Sequence, residues 1–430
     1  MKSNYRRIGD FIELVDERNS ELKVDLLLGL SINKEFIPSV ANTVGTNMKN
    51  YKIIRKNQFA CSIMQVRRDG KMPVALLQDR EEAIISQAYP VFRVVDESEL
   101  LPQYLMMWFS RKEFDREATF HAVGGVRGSL EWEDFLNFKL PVPTTERQQQ
   151  IVAEYNTVAN RIKLNEQLNL KLEETAQALY KHWFVDFEFP LDLCQSEPVE
   201  DPNCHSEPSD AIGGEESLKN IDYSKGYKSS GGKMVYNEKL DKEIPEGWEV
   251  KSLSEISKIT MGQSPKGESY NNYEIGAVFF QGRTDFGFRI PEVRMYTSEP
   301  KRIAKKGDVL MTVRAPVGDL NIANIDCCIG RGIASIRSNE NSFIFYVMKN
   351  FKQLFDSNNG MGTIFSSINK DELFNLKISY NEGVSKTYNI LIRGYDEQIL
   401  KNSVRNKKLE ELQTLLLSKM SNGGVRKKKD

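Results

Sequence analysis

Apolar and polar residues alternate over short stretches in the first third of the chain. Segments 59–66, 83–85 and 90–95 carry this two-residue period and predict strands. Residues 101–117 change to a helical spacing. Gly124, Gly125 and Gly128 break the pattern, and 138–142 returns to a short strand closed by Pro141 and Pro143. The scale then changes. Residues 146–183 predict one long helix capped by Thr144 or Thr145, because Thr145 stands three residues before Gln148, a capping-box spacing. Its seam runs Ile151, Tyr155, Val158, Ile162, Asn165, Asn169, Leu172, Ala176, Leu179, Trp183. A second long helix over about 385–420 offers Ile392, Tyr395, Ile399, Asn402, Asn406, Leu409, Gln413, Leu416 and Met420.

A buried seam asparagine costs stability unless it finds a polar partner, and that cost fixes register. An antiparallel pairing sets Asn165 against Asn406 and Asn169 against Asn402. In the alternative reading the asparagines face solvent and Leu164 and Leu168 lie on the buried stripe.

The chain also repeats itself. Residues 129–140 read SLEWEDFLNFKL and 367–378 read SINKDELFNLKI, an offset of 238; KLEE recurs at 171–174 and 408–411, an offset of 237. A period this long marks a duplicated module, not a solenoid unit. The divisions that follow are a module over 1–143, a long helix and return segment over 144–189, an acidic linker over 190–243, a second module over 244–384, and a second helix with a basic tail over 385–430. The apolar return segment FVDFEFP (184–190) is expected to pack back on the first module. Pro198, Pro202 and Pro208 in the linker argue against a core there. In the second module, 303–315 reads as strand, turn, strand. The fold class is α+β: two similar mixed-sheet modules separated by a long antiparallel two-helix coiled-coil spacer.

With 430 residues there is room for two or three cores. No apolar run approaches the roughly 18 residues of a membrane span, and five irregularly spaced cysteines fit a reducing cytoplasm. Net charge is −1 but uneven. Residues 190–247 hold 6 Lys/Arg against 13 Asp/Glu, and 385–430 hold 11 against 5. The modules are near balance, so any nucleic-acid contact must come from local basic loops or from a partner. Catalytic signatures are missing. There is no GxxxxGK[ST] loop, no GxGxxG after a strand, no HExxH and no Asn/Asp-Pro-Pro-aromatic tetrapeptide. His121, His182 and His205 are scattered, and Cys194, Cys204 and His205 in the acidic linker make a poor metal set. Cys327-Cys328 read as strand content. Glu81-Glu82 and Glu133-Asp134 read as solvated faces. Neither a catalytic residue nor a metal site is expected.

RRIGDFIELVDERN (6–19), LPVPTTERQQQIV (140–152), LYKHWFVDFEFP (179–190) and IPEGWEVKSLSEI (244–256) followed by MGQSPKG, in this order and duplicated, resemble the specificity subunit of type I restriction–modification systems. The resemblance covers nearly the whole chain. SYNEGVSK (379–386) departs from the pattern by lacking Pro-x-Pro, so the second helix is expected to start later or pack less regularly. The resemblance implies two target-recognition domains, each reading half of a split double-stranded DNA sequence. It implies paired helices that space them and dock methyltransferase subunits and a restriction/translocase subunit. Cofactors are then expected in the partners (S-adenosylmethionine, ATP and Mg) and none in this chain. The competing readings are an unrecognised nuclease or methyltransferase site in one module, and a coiled-coil scaffold that does not bind DNA.

Base reading needs Arg, Lys, Asn or Gln on loops that reach groove edges. In the first module Arg67, Arg68 and Lys71 form a basic turn, and Arg127 sits in GGVRGS, where glycine permits close backbone approach. In the second, Gln263, Ser264 and Lys266 lie in MGQSPKG. Arg283 follows Gln281-Gly282, Arg314 precedes Ala315-Pro316, and Arg331 stands between two glycines. Thr363, Ser366 and Ser367 occupy the place matching Arg127–Ser129.

Overall fold

Short apolar alternations build four-stranded antiparallel sheets in both halves of the chain. The computed structural model describes residues 5–39, 46–124, 128–194, 221–359 and 367–420. In the first module the strand order is Ile12–Val15, Val91–Val94, Gln58–Cys61, Val74–Leu76. Phe59 and Phe92 stack across it with ring centroids 4.9 Å apart. A second sheet runs Phe36–Pro38, Leu27–Leu30, Glu82–Ile85, Lys52–Arg55, with Leu27–Leu30 and Glu82–Ile85 parallel. Tyr5–Arg7 and Lys139–Pro141 pair to close the module.

The second module repeats this plan. Its four-stranded sheet runs Lys258–Met261, Ile333–Arg337, Val309–Thr312, Leu320–Ile322. Its other sheet contains the parallel pair Ala277–Phe280 and Cys327–Ile329, and Glu249–Ser252 with Lys377–Tyr380 closes it. Cys327 and Cys328 are buried strand residues. The helical parts differ. Besides the short helices Leu253–Ile256 and Lys370–Phe374, the second module has among its described residues one longer helix, Asn341–Asn359. The first uses two, Pro102–Phe109 and Lys112–His121, where the pattern predicts one. The break falls at Arg111, whose backbone is extended and whose buried guanidinium lies 4.0 Å over the Trp108 ring.

The long helices span Thr145–Tyr180 and Glu382–Lys419. The chain divides into two units, Met1–Lys163 with Lys407–Asp430 and Leu164–Asn406, so the division crosses both helices instead of falling at their starts. Within the second unit the helices run antiparallel. Asn165 Nδ2 donates to Asn406 Oδ1 at 2.7 Å, and Asn402 Nδ2 donates to Asn169 Oδ1 at 2.9 Å. All four asparagines are buried, whereas Leu164 and Leu168 are 57% and 46% exposed, which removes the solvent-facing alternative. In the first unit, Ile151, Val152, Tyr155, Leu417 and Met420 pack on the module's aromatic core.

Four local expectations are corrected. The Thr145–Gln148 capping box does not form. Gln148 is fully buried, its Oε1 accepts from Leu101 N at 2.9 Å, and its Nε2 donates to the carbonyls of Glu99 and Pro143 at 2.8 and 2.9 Å. Unpaired backbone groups of the module outcompete the local cap. The FVDFEFP segment joins the second module, not the first. Phe184, Phe187 and Phe189 surround Trp248 at centroid distances of 5.8, 5.4 and 5.1 Å, after the helix widens into a π turn over Lys181–Val185. Much of the acidic linker is folded. Tyr227 stacks on Phe189 at 4.8 Å, and Met234–Asn237 pairs with Lys242–Pro245 in a hairpin; residues 195–220 lie outside the described residues. Finally, the second long helix starts earlier than expected, because Asn381 Oδ1 accepts the Val384 N–H at 3.1 Å and so caps it without Pro-x-Pro.

Candidate nucleic-acid interface

In the first module the basic turn is a one-turn helix, Val66–Asp69, between the strands Gln58–Cys61 and Val74–Leu76. Left-handed residues bracket it, Gln65 at φ 63° and Gly70 at φ 62°. Arg67, Arg68 and Lys71 are all exposed. Arg68 is bound to Asp69 at 2.6 Å; this hydrogen bond raises the guanidinium's pKa and lowers that of the carboxyl. The glycine loop meets this helix. The Arg67 N–H donates to Gly128 O at 3.2 Å, and a Cβ on Gly128 would stand 2.8 Å from Arg67 Cβ, so only glycine fits. Arg127 lies outside the described residues, one position before this contact.

The second module brings its candidates together more tightly. A Cβ on Gly262 would collide with the carbonyls of Gly330 and Ile333, so glycine lets the two loops touch. Gln263 N–H donates to Ile329 O at 2.9 Å, and Arg331 N–H donates to Ser264 Oγ at 3.3 Å. Arg314 forms an antiparallel bridge with Ser367 and precedes the cis Ala315–Pro316 bond; Ile368 N–H donates to Val313 O at 3.0 Å. The equivalent bond in the first module runs from Leu130 N–H to Ile63 O at 2.9 Å. Met261, Val313, Arg314, Arg331, Ser367 and Ile368 line a cleft of about 430 Å³. Among the described residues neither arginine there has an ion-pair partner, so both guanidiniums are available to an anion or a base edge. Ser366, like Thr363, lies outside the described residues, directly before Ser367.

Gln263 and Ser264 contact the loops of the cleft without lining it, and two further candidates stand apart from it. Arg283 is ion-paired with Asp319, which also holds Lys352 at 3.0 Å, and Arg283 Nη1 donates to Phe286 O at 3.1 Å. Its role here is to brace a loop. Lys266 is exposed at the far end of the Gln263 loop, where its carbonyl accepts from Ser269 Oγ at 2.7 Å. Among the described residues no group of His, Cys, Asp and Glu is placed to hold a metal. Burial pushes the Cys327 thiol up to about 12, so it is not a poised nucleophile. Glu81 and Glu82 pair with Lys56 and Arg55 on an exposed face.

Two cations that the residue pattern did not single out are buried instead of solvent-facing. Lys34 pairs with Asp115 at 2.8 Å. Arg289 meets Asp396 at 3.0 Å and Glu173 at 3.6 Å. Burial pushes the Asp396 carboxyl above its ordinary range while Arg289 pulls it back. The available signal was a basic residue shortly before Ile-Pro in both modules, in KEFIP (34–38) and RIP (289–291).

The model of the type I restriction modification DNA specificity domain matches residues 2–174 and 245–380, covering both modules, and the chain belongs to that family. It is 31% identical over 282 residues to the putative type I restriction enzyme MjaX specificity subunit of Methanocaldococcus jannaschii, covering 64% of this chain and 56% of that relative. It is 24% identical over 362 residues to the type I restriction enzyme HindI specificity subunit of Haemophilus influenzae, covering 76% and 78% of the two chains. The crystal structure of the type I restriction-modification system S subunit from M. genitalium shares the fold at 13% identity, with a TM-score of 0.56 and coverage of 98% and 96%.

Proposed function

We propose that this chain is the DNA sequence-specificity subunit of a type I restriction–modification complex, non-catalytic in itself. The observation that carries this reading is a family match to both modules combined with strand orders that repeat between them. Two like modules suit a target of two parts. The surface around Arg67 and Gly128 and the cleft lined by Arg314 and Arg331, with Ser264 beside it, are the surfaces that would meet DNA, none of these three arginines having an ion-pair partner among the described residues. The long helices, of 36 and 38 residues, reach roughly 55 Å at ~1.5 Å per residue. That length suits a spacer between half-sites. Methyltransferase subunits using S-adenosylmethionine, and a restriction/translocase subunit using ATP and Mg²⁺, would supply the chemistry in the cytoplasm. No helix among the described residues is long and apolar enough to cross a membrane.

The test is adenine-methylation mapping of DNA from cells carrying this chain with its methyltransferase subunit. A bipartite motif with one fixed gap, changed in one half when residues 1–143 are exchanged for those of a relative, is the expected result. Methylation that does not change when this chain is deleted would overturn the reading and favour a scaffold that does not touch DNA.

A further inference from the structure

Lys34 lies between the strands Leu27–Leu30 and Phe36–Pro38, and Arg289 between Ala277–Phe280 and Tyr296–Thr297. These connections are equivalent. In each module the preceding strand makes the parallel pairing of its sheet and the following strand lies antiparallel beside it. Both cations stand at left-handed φ, 67° for Lys34 and 66° for Arg289. Both side chains are buried, at 8% and 4% exposure. Both enter the helical layer against an aromatic face and a carboxylate. Lys34 Nζ sits 4.9 Å over Phe114, pairs with Asp115 and donates to the Phe109 carbonyl. The Arg289 guanidinium sits 3.8 Å over Phe345, pairs with Asp396 and donates to the Tyr346 hydroxyl. A left-handed side-chain-bearing residue and a buried cation each cost free energy. Their joint recurrence at one topological point marks a built device.

The two plugs differ in reach. The partners of Lys34 all belong to the first module. Arg289 takes its carboxylates from the long helices, Glu173 from the first and Asp396 from the second, and Lys349 of the module's own helix also pairs with Glu173. One planar guanidinium therefore ties the second module's outer sheet to both helices. A guanidinium directs its donors in a fixed plane, so it constrains angle as well as distance.

We propose that Arg289 is the positioning residue that sets the angle between the second module and the helix pair, and through it the length of the unspecified gap allowed between half-sites. The proposal rests on the bipartite reading above. The experiment maps methylated sites in cells carrying the complete complex with the unaltered chain, Arg289→Met, Arg289→Lys, Asp396→Asn or Lys34→Met. The unaltered chain should give one bipartite motif with one gap. Arg289→Met should keep both half-sites and add sites whose gap is one base pair longer or shorter, at a tenth or more of the parental occupancy. Arg289→Lys should narrow that spread, and Lys34→Met should keep the single gap. Asp396→Asn preserves volume and leaves Glu173 in place, so it should broaden the gap less than Arg289→Met, and it carries the test if that variant fails to assemble. A single gap in both Arg289→Met and Asp396→Asn, with methylation lowered evenly at every site, would overturn the proposal, as would equal broadening by Lys34→Met. If the unaltered chain itself shows no bipartite motif, the functional reading falls as well; a bipartite motif that the variants leave unbroadened sinks the positioning role alone.

Discussion

In the first unit the long helix is tied to its module by a neutral amide: the Gln148 side chain makes three hydrogen bonds to backbone groups of the module and its junction. In the second unit the helices are tied to their module by charges, with Arg289, Lys349, Glu173 and Asp396 gathered behind Phe345 and Tyr346. Both arrangements bury polar groups, but the energetics differ. A satisfied amide is inexpensive to bury and contributes about 1 kcal/mol per hydrogen bond. A buried ion cluster recovers its desolvation cost only when every partner is in place, so it favours one geometry more than it favours stability. Here Arg289 Nη1 and Asp396 Oδ2 remain buried without hydrogen bonds among the described residues, as expected of a cluster kept for geometry. The contrast suggests that the first attachment resists unfolding and the second resists misorientation.

The contrast can be tested by breaking each attachment in turn. Asp396→Ala leaves Arg289 beside a cavity with only the more distant Glu173 carboxylate and should cost the purified chain about 3 kcal/mol in chemical denaturation, because a buried ion cluster that loses a partner no longer recovers its desolvation cost. A loss under 1 kcal/mol would show the cluster to be effectively solvated. Gln148→Ala leaves one N–H and two carbonyls unmet, and about 2 kcal/mol is expected from the same measurement. Hydrogen exchange should report the damage at Leu101 and not in the second module. For the seam, Asn165→Leu alone leaves Asn406 facing an apolar side chain and should cost about 1–2 kcal/mol. The double change Asn165→Leu with Asn406→Leu should recover that loss, and a cycle without such coupling would mean the asparagines are independent. The smallest effect concerns the cleft. Arg331→Ala in the assembled complex should weaken DNA binding by about 1 kcal/mol if it meets a phosphate, reducing the salt slope by about one. If instead it reads a base, discrimination at one position relaxes while the slope stays unchanged.

How much of this was legible in the chain depended on the range of the interaction. The repeated SLEWEDFLNFKL and SINKDELFNLKI revealed the duplication because each spells a short helix and its following strand, both locally encoded. The seam asparagines stood out as polar breaks in an apolar heptad, and geometry left few partners for them. FVDFEFP was plainly destined for burial, but apolar content does not say against what, and Trp248 decided it. The linker read as coreless because of Pro198, Pro202, Pro208 and the acids unbroken by any base before Ser217, yet beyond them Tyr227 finds a stacking partner in Phe189. Gln148 matched a capping motif while two of its three partners lay nearly fifty residues upstream at Leu101 and Glu99. Arg289 resembled any surface turn arginine, since the carboxylates that hold it come from distant helices. Of the candidate DNA contacts, glycine flanking correctly marked loops that touch, as at Gly128 and Gly262, but did not reveal that Arg283 was already engaged by Asp319.

Met420, 3% exposed, completes the core of the unit that begins at Met1. The second unit is one continuous stretch, Leu164–Asn406, and is therefore fully synthesised first. A ribosome making this chain delivers the first module early but leaves Leu417 and Met420 missing from its apolar surface until some 260 further residues have followed Lys163. Domains ordinarily fold in the order they emerge; here the earliest-made module waits for the latest-made helix turns. A stop codon or protease cut near residue 410 would spare the nearby second module and damage the distant first one.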